Sequence, residues 1–142
     1  MHTIHQILKQ KGNDVHWVGP DSTVFDAIRK MAELGVGALL VMREGKPVGM
    51  LSERDYARKV ILEGKRSREC QVGDIMSSSL ISIDGRASAE AGLALMSNKH
   101  IRHLPVIDDG KLVGMVSIGD LVNAVIADQQ QLIEQLERYV TG

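Results

Sequence analysis

Apolar residues fall in short, regularly interrupted runs along this chain, and each run carries the signature of a helix or a strand. From Thr3 to Lys11, Ile4, Ile7 and Leu8 share one helical face and Thr3 with Gln6 has capping-box spacing, which predicts a short helix. Val15–Val18 reads as a short apolar strand ended by Gly19-Pro20. A second helix is predicted from Thr23 to about Leu34. Thr23 and Asp26 cap it, Val24, Ala27, Ile28 and Met31 form its stripe, and Gly35 stops it. Ala38–Met42 is continuously apolar, the pattern of a strand covered on both faces. Glu44-Gly45-Lys46 is turn chemistry, Val48–Leu51 returns as the hairpin partner, and Ser52 opens a helix reaching about Glu63.

The same order then recurs. Leu80–Ile83 reads as a strand, Ser88–Lys99 as a helix, Leu104–Ile107 and Leu112–Val116 as strands around an Asp109-Gly110 turn, and a helix follows from Ile118. A shift of 65 positions superimposes the halves without a gap, and the identities include Met31/Met96, Val41/Val106, Val48/Val113, Gly49/Gly114, Met50/Met115, Ser52/Ser117 and Asp55/Asp120. An internal period of this kind sets the architecture. The fold class is therefore α+β, a β-α-β-β-α unit written twice. Neither copy is large enough to bury a core well alone, so the two are expected to pack about a pseudo-two-fold axis, with clefts between them. The polar, basic connector Gly64–Gln71 reads as the linker. It divides the chain into residues 1–68, the first copy with the N-terminal helix, and residues 69–142, the second copy with an extended C-terminal helix. That extension has no counterpart in the first copy. Its Val122, Val125, Leu132, Leu136 and Tyr139 recur at roughly 3.5-residue spacing, which fits either packing on its own domain or a self-association seam.

Composition narrows the functional classes. Hydrophobic residues make up 44% and charged residues 25% of the 142 positions, so a packed core is expected. A net charge near −1 and 3% aromatics argue against nucleic acid, despite Lys65, Arg66 and Arg68, and against an anionic membrane. The single Cys70 forms no internal disulfide and no thiolate zinc cluster. Ala38–Met42, the longest apolar run, is too short to cross a bilayer, and MHTIHQILKQKG shows no secretory signal, so a cytoplasmic location is expected.

The chemistry that repeats is S-x-x-D: Ser52 with Asp55, and Ser117 with Asp120. Ser at the N-cap and Asp three residues later is a good helix cap, and the carboxylate also suits the helix dipole. Each pair, however, follows a glycine-bearing strand, at a strand-to-helix junction. A carboxylate there can accept two hydrogen bonds from a vicinal diol such as ribose, while helix N–H groups and a cation suit a phosphate. Arg54 and Arg58 follow the first pair, and Lys99-His100-Ile101-Arg102-His103 precedes the strand of the second copy. The matching Gly35-Val36-Gly37-Ala38 is small, so one cleft is expected to be glycine-lined and the other basic. The run that holds His100 and His103 contains no carboxylate or thiol, and no metal is expected. The chain contains no G-x-x-x-x-G-K-[ST], G-x-S-x-G or H-E-x-x-H, and no catalytic residue is expected.

The tandem unit, with h-V-G-h-h-S-x-x-D in each copy, H-L-P-V-I-D-D-G-K before the second and D-I-M at 74–76, resembles the CBS domain pair across essentially the whole chain. The resemblance implies a stand-alone regulatory pair (a Bateman module). It would bind AMP, ADP, ATP, NAD or S-adenosylmethionine in clefts between the copies, require no cofactor, and pair through its CBS repeats as a homodimer that an unidentified enzyme or transporter reads. It also implies site residues. In the second cleft Asp120 would hold the ribose hydroxyls and Ser117 and Gly119 would lie beside sugar or phosphate. Ile81 would present backbone to adenine, with Ser79, Ile101, Arg102, His103 and Met115 around it. In the first cleft Asp55 would take the ribose, with Ser52 and Arg54 near phosphate. His16, Val36, Gly37, Ala38, Met50 and Asp14 would line the rest. The alternative is a purely structural interaction protein in which both S-x-x-D pairs are only caps.

Overall fold

The computed structural model describes residues 1–141. In chain order its elements are α1 (Ile4–Lys11), β1 (Trp17–Val18), α2 (Val24–Leu34), β2 (Ala38–Arg43), β3 (Lys46–Ser52) and α3 (Glu53–Tyr56), which runs into a π-helix at Ala57–Ile61. There follow α4 (Val72–Ile75), α5 (Ala89–Lys99), β4 (His103–Asp108), β5 (Lys111–Ser117) and α6 (Ile118–Thr141). They form two units: an inner one, Val15–Leu80, and a split one that joins Met1–Asp14 to the chain from Ile81 onward. The boundary therefore differs from the expected division after residue 68. The N-terminal helix, expected with the first copy, belongs to the unit of the second.

Both units are organised by a hairpin whose turn places two residues at positive φ. Glu44 (51°) and Gly45 (77°) join β2 to β3, and Asp109 (49°) and Gly110 (79°) join β4 to β5. This turn geometry matches the twist of paired strands. The registers are equivalent, Ala38↔Ser52 in one and His103↔Ser117 in the other, and each ladder carries a bulge at the same place, Val41/Met42 and Val106/Ile107.

In the inner unit β1 adds a parallel strand, with Trp17 opposite Leu40. Helix α2 is capped by Thr23, whose hydroxyl accepts from Asp26 N–H, and ends in left-handed Gly35. Val24, Ala27 and Met31 of its stripe are buried with Leu39, Val41, Leu51 and Val60. The single helix expected from Ser52 to Glu63 changes to π geometry after Tyr56. Gly64–Gln71, expected as a linker, lies against the unit instead: Val24 N–H donates to Cys70 O (2.9 Å), Phe25 N–H to Ser67 O (3.0 Å), and the Arg68 guanidinium stands 4.0 Å from the Phe25 ring centre.

In the split unit the expected strand Leu80–Ile83 shrinks to one parallel bridge, Ile83 to Val106. The cause is Pro105. At the corresponding place in the inner unit Leu40 N–H donates to His16 O (3.1 Å). Proline has no N–H, so the equivalent bond to Ile81 is not made. Ile4, Ile7 and Leu8 of α1 complete the core with Met96, Leu104, Val116 and Leu121.

Each hairpin is covered by the segment that precedes the other copy. Ile4 N–H donates to Ala87 O and His5 N–H to Gly85 O, and Ala89 N–H donates to His2 O. The inner unit repeats all three bonds, Val72 to Ser22, Gly73 to Pro20, and Val24 to Cys70. Helix α1 thus does for the second copy what α4, with its D-I-M, does for the first. Both lie on a strand glycine: a Cβ on Gly49 would meet Ser77 O at 2.6 Å and Met76 Sδ at 2.8 Å, and one on Gly114 would meet Leu8 Cδ2 at 2.7 Å.

Beyond Ala124, α6 buries no described residue, and Leu132, Ile133, Leu136, Tyr139 and Val140 are each more than half exposed. Val125 still packs partly buried against its own core and Asp128 pairs with His2, whereas from Gln129 onward every described residue of the helix is exposed.

Candidate ligand-binding site

The two S-x-x-D pairs stand where β3 runs into α3 and where β5 runs into α6. At the first, Ser52 is extended (φ −121°) and its hydroxyl accepts from Asp55 N–H (3.2 Å), while Asp55 Oδ2 accepts from Ser52 N–H (3.0 Å) and Oγ (3.1 Å). At the second, Asp120 N–H donates to Ser117 Oγ (3.2 Å) and Ser117 N–H to Asp120 Oδ2 (2.8 Å). Both are complete reciprocal caps. The bonds also orient each carboxylate at the head of a helix, half-buried at the junction.

The neighbouring strand is tied to each junction by an equivalent bond. Glu53 N–H donates to Gly37 O (3.0 Å), and Ile118 N–H to Arg102 O (2.9 Å). Register then sets Ala38 opposite Ser52, with Met50 opposite Leu40, and His103 opposite Ser117, with Met115 opposite Pro105. Val36 and Ile101 are partly buried against their cores, as is Ile81. His16 and Arg54 are exposed in the inner unit, and Arg102 and Gly119 in the split one. Ser79 belongs to the inner unit and Asp14 to the split unit.

Each carboxylate also has an ammonium partner that sequence reasoning missed. Lys59 Nζ lies 3.3 Å from Asp55 Oδ1 and donates to Ile75 O (2.9 Å). Its position four residues after Asp55 is a readable helical spacing. Lys11 Nζ lies 2.6 Å from Asp120 Oδ2 and donates to Met115 O (3.0 Å). No local signal announces Lys11, because α1 reaches this junction only through the tertiary fold. Burial raises the Asp120 pKa, but the hydrogen bonds from Lys11 and from Ser117 N–H outweigh it and hold the carboxyl below its usual value.

The rest of α1 is clipped by carboxylates too. His2 Nδ1 pairs with Asp128 Oδ1 (2.6 Å) and His5 Nε2 with Asp108 Oδ2. The Asp108 pKa is lowered first by its His5 bond and then by Gly85 N–H, and that of Asp128 first by the backbone N–H of His2. Among the described residues no group of three or more His, Cys, Asp or Glu is placed to hold a metal ion.

The family model described as CBS domain matches residues 10–62 and 72–127. The mitochondrial CBS domain-containing protein CBSX3 of Arabidopsis thaliana is 38% identical, over 99% of this chain and 72% of its own. A protein with CBS domains from Burkholderia ambifaria, solved as a structure, is 46% identical with a TM-score of 0.87, covering 90% of this chain and 96% of its own. A CBS domain pair solved with 5′-methylthioadenosine and S-adenosyl-L-methionine is 21% identical with a TM-score of 0.78, covering 90% and 98%, and its likeness is one of fold.

Proposed function

The chain belongs to the CBS domain family as a tandem pair, and on that premise we propose that it is a non-catalytic sensor of adenosine ligands. The observation that carries the reading is the duplicated junction. Asp55 and Asp120 are fixed by their own caps at helix N-termini, where a carboxylate can accept from a ribose diol and backbone N–H groups favour a phosphate. Ser52 and Arg54, and Ser117 and Gly119, would lie beside sugar and phosphate. His16, Val36, Gly37, Ala38 and Met50 would line the first site, and Ile81, Ile101, Arg102, His103 and Met115 the second. The related pair solved with two adenosine derivatives supports this ligand class, which includes AMP, ADP, ATP and NAD.

The output is a change in self-association through the CBS repeats, with the exposed apolar side of α6 as a further seam between copies and a cytoplasmic enzyme or transporter as the reader. Among the described residues no helix is long and apolar enough to cross a membrane. The test is thermal unfolding of the purified protein with AMP, ADP, ATP, NAD, S-adenosylmethionine and 5′-methylthioadenosine, with sedimentation before and after ligand. A saturable rise in Tm is expected with at least one, since ligand at a hundred times its Kd stabilises by about 2.7 kcal/mol. A monomer throughout would remove the dimer output. A flat panel with ligand-free protein would leave the junctions as caps alone.

A further inference from the structure

The ammonium of Lys11 stands on two groups of the second junction at once, Asp120 Oδ2 at 2.6 Å and the Met115 carbonyl at 3.0 Å. We propose that Lys11 is a built-in competitor for this site, holding the acceptors that a ribose diol needs and setting the threshold at which ligand enters. The inference rests on the reading of Asp120 as the diol acceptor.

A carboxylate grips a vicinal diol by accepting one hydroxyl on each oxygen. Oδ2 already accepts from Ser117 N–H at 2.8 Å, and Lys11 adds a charged donor to the same atom. A hydroxyl arriving there meets an oxygen whose lone pairs are committed to stronger, charge-assisted bonds. The ammonium must leave before the diol is seated. It has room to do so. A cavity of about 280 Å³ beside it, between α1 and α6, is lined by Gln10, Asn123 and Ala127 as well as by Lys11 itself. The Lys11 side chain is about one-third exposed (37%), so withdrawal does not strand a charge in the core.

The inner unit throws this into relief. There the Met50 carbonyl accepts from Ser77 N–H (2.9 Å), a backbone donor. The Asp55 counter-ion is Lys59, on Oδ1 rather than Oδ2 and at 3.3 Å. Ser52 N–H and Oγ both donate to Asp55 Oδ2, so the first carboxylate is held by its own cap and helix, whereas at the second an ammonium from a separate helix holds both Asp120 Oδ2 and the strand carbonyl.

Calorimetric titration of adenosine and of AMP into the full chain carrying Asp55→Ala isolates the second junction. Adding Lys11→Met should tighten both ligands by about two- to fivefold, the worth of a partly exposed ion pair. Lys11→Arg should bind like its parent, and Lys11→Gln serves if the Met variant does not fold. Ligand heat that appears only once Lys11 is replaced supports the proposal equally. Unchanged affinity, or weaker AMP binding with adenosine unaffected, overturns it, the latter making Lys11 a phosphate contact. Adding Asp120→Ala separates the premise: heat that survives this change, or no heat in any variant, overturns the diol assignment and the competitor with it.

Discussion

Over Gly49 lie the backbone oxygen of Ser77 and the thioether of Met76, whereas over Gly114, at the same point of the repeat, lie the methyl groups of Leu8. The two units share registers, bulges, turn conformations and caps, yet each takes its cover from a different segment, α4 in the inner unit and α1 in the split one. The repeat thus specifies the scaffold and the capped junction, while the covering segment decides the chemistry around it. The inner cover is short and turns at once into extended chain, whose Ser77 N–H serves Met50. The split cover is a full helix that runs further and delivers Lys11 to Met115 and Asp120.

The covers can be set against each other by filling the strand glycines. Gly49→Ala drives a methyl into a carbonyl oxygen that cannot move without the backbone, so a loss of about 3 kcal/mol is expected. Gly114→Ala meets only the flexible end of Leu8, and about 1 kcal/mol is expected. Chemical denaturation of the two variants measures the difference; equal losses would mean that the covers are equally rigid.

A smaller contrast lies in acid. Helix α1 is clipped by Asp108 and Asp120, and the residues just before it by Asp128, and the pKa values of all three are lowered in the folded protein. A carboxyl depressed on folding contributes stability above its unfolded pKa of about 3.9, and loses that contribution as pH falls through the lower folded value. Helix α4 is held by Val72 and Gly73 N–H bonds and by Lys59 on Ile75 O, with no carboxylate among these contacts. Hydrogen exchange followed from about pH 6 to pH 3 should therefore show the α1 amides losing protection before those of α4. Simultaneous loss, after correction for the intrinsic rate, would remove the carboxylates as the reason.

Much of this was legible in the chain. The hairpins follow from Gly45 and Gly110, the helix starts from Thr3, Thr23, Ser52 and Ser88, and the duplicated junction from S-x-x-D. What could not be read was non-local. Helix α1 is amphipathic in either unit, and nothing in Ile4, Ile7 and Leu8 says that Gly114 rather than Gly49 receives them. Pro105 stands in a strand whose hairpin pairing it leaves intact, so its sequence context hides the missing parallel partner. The connector looked like a linker because it is polar, yet its backbone carbonyls hold α2. At the site, Lys59 was within reach of helical spacing from Asp55, whereas Lys11 is more than a hundred residues from the carboxylate it neutralises.

On the proposed reading, both junctions hold adenosine ligands through Asp55 and Asp120. The most direct measurement is calorimetric titration of whichever ligand raises the Tm into wild type, Asp55→Ala, Asp120→Ala and the double variant. Each single variant is expected to lose one site and the double variant to give no heat while remaining folded, with each lost cap costing about 1 kcal/mol of stability. Full binding by a folded double variant would contradict it.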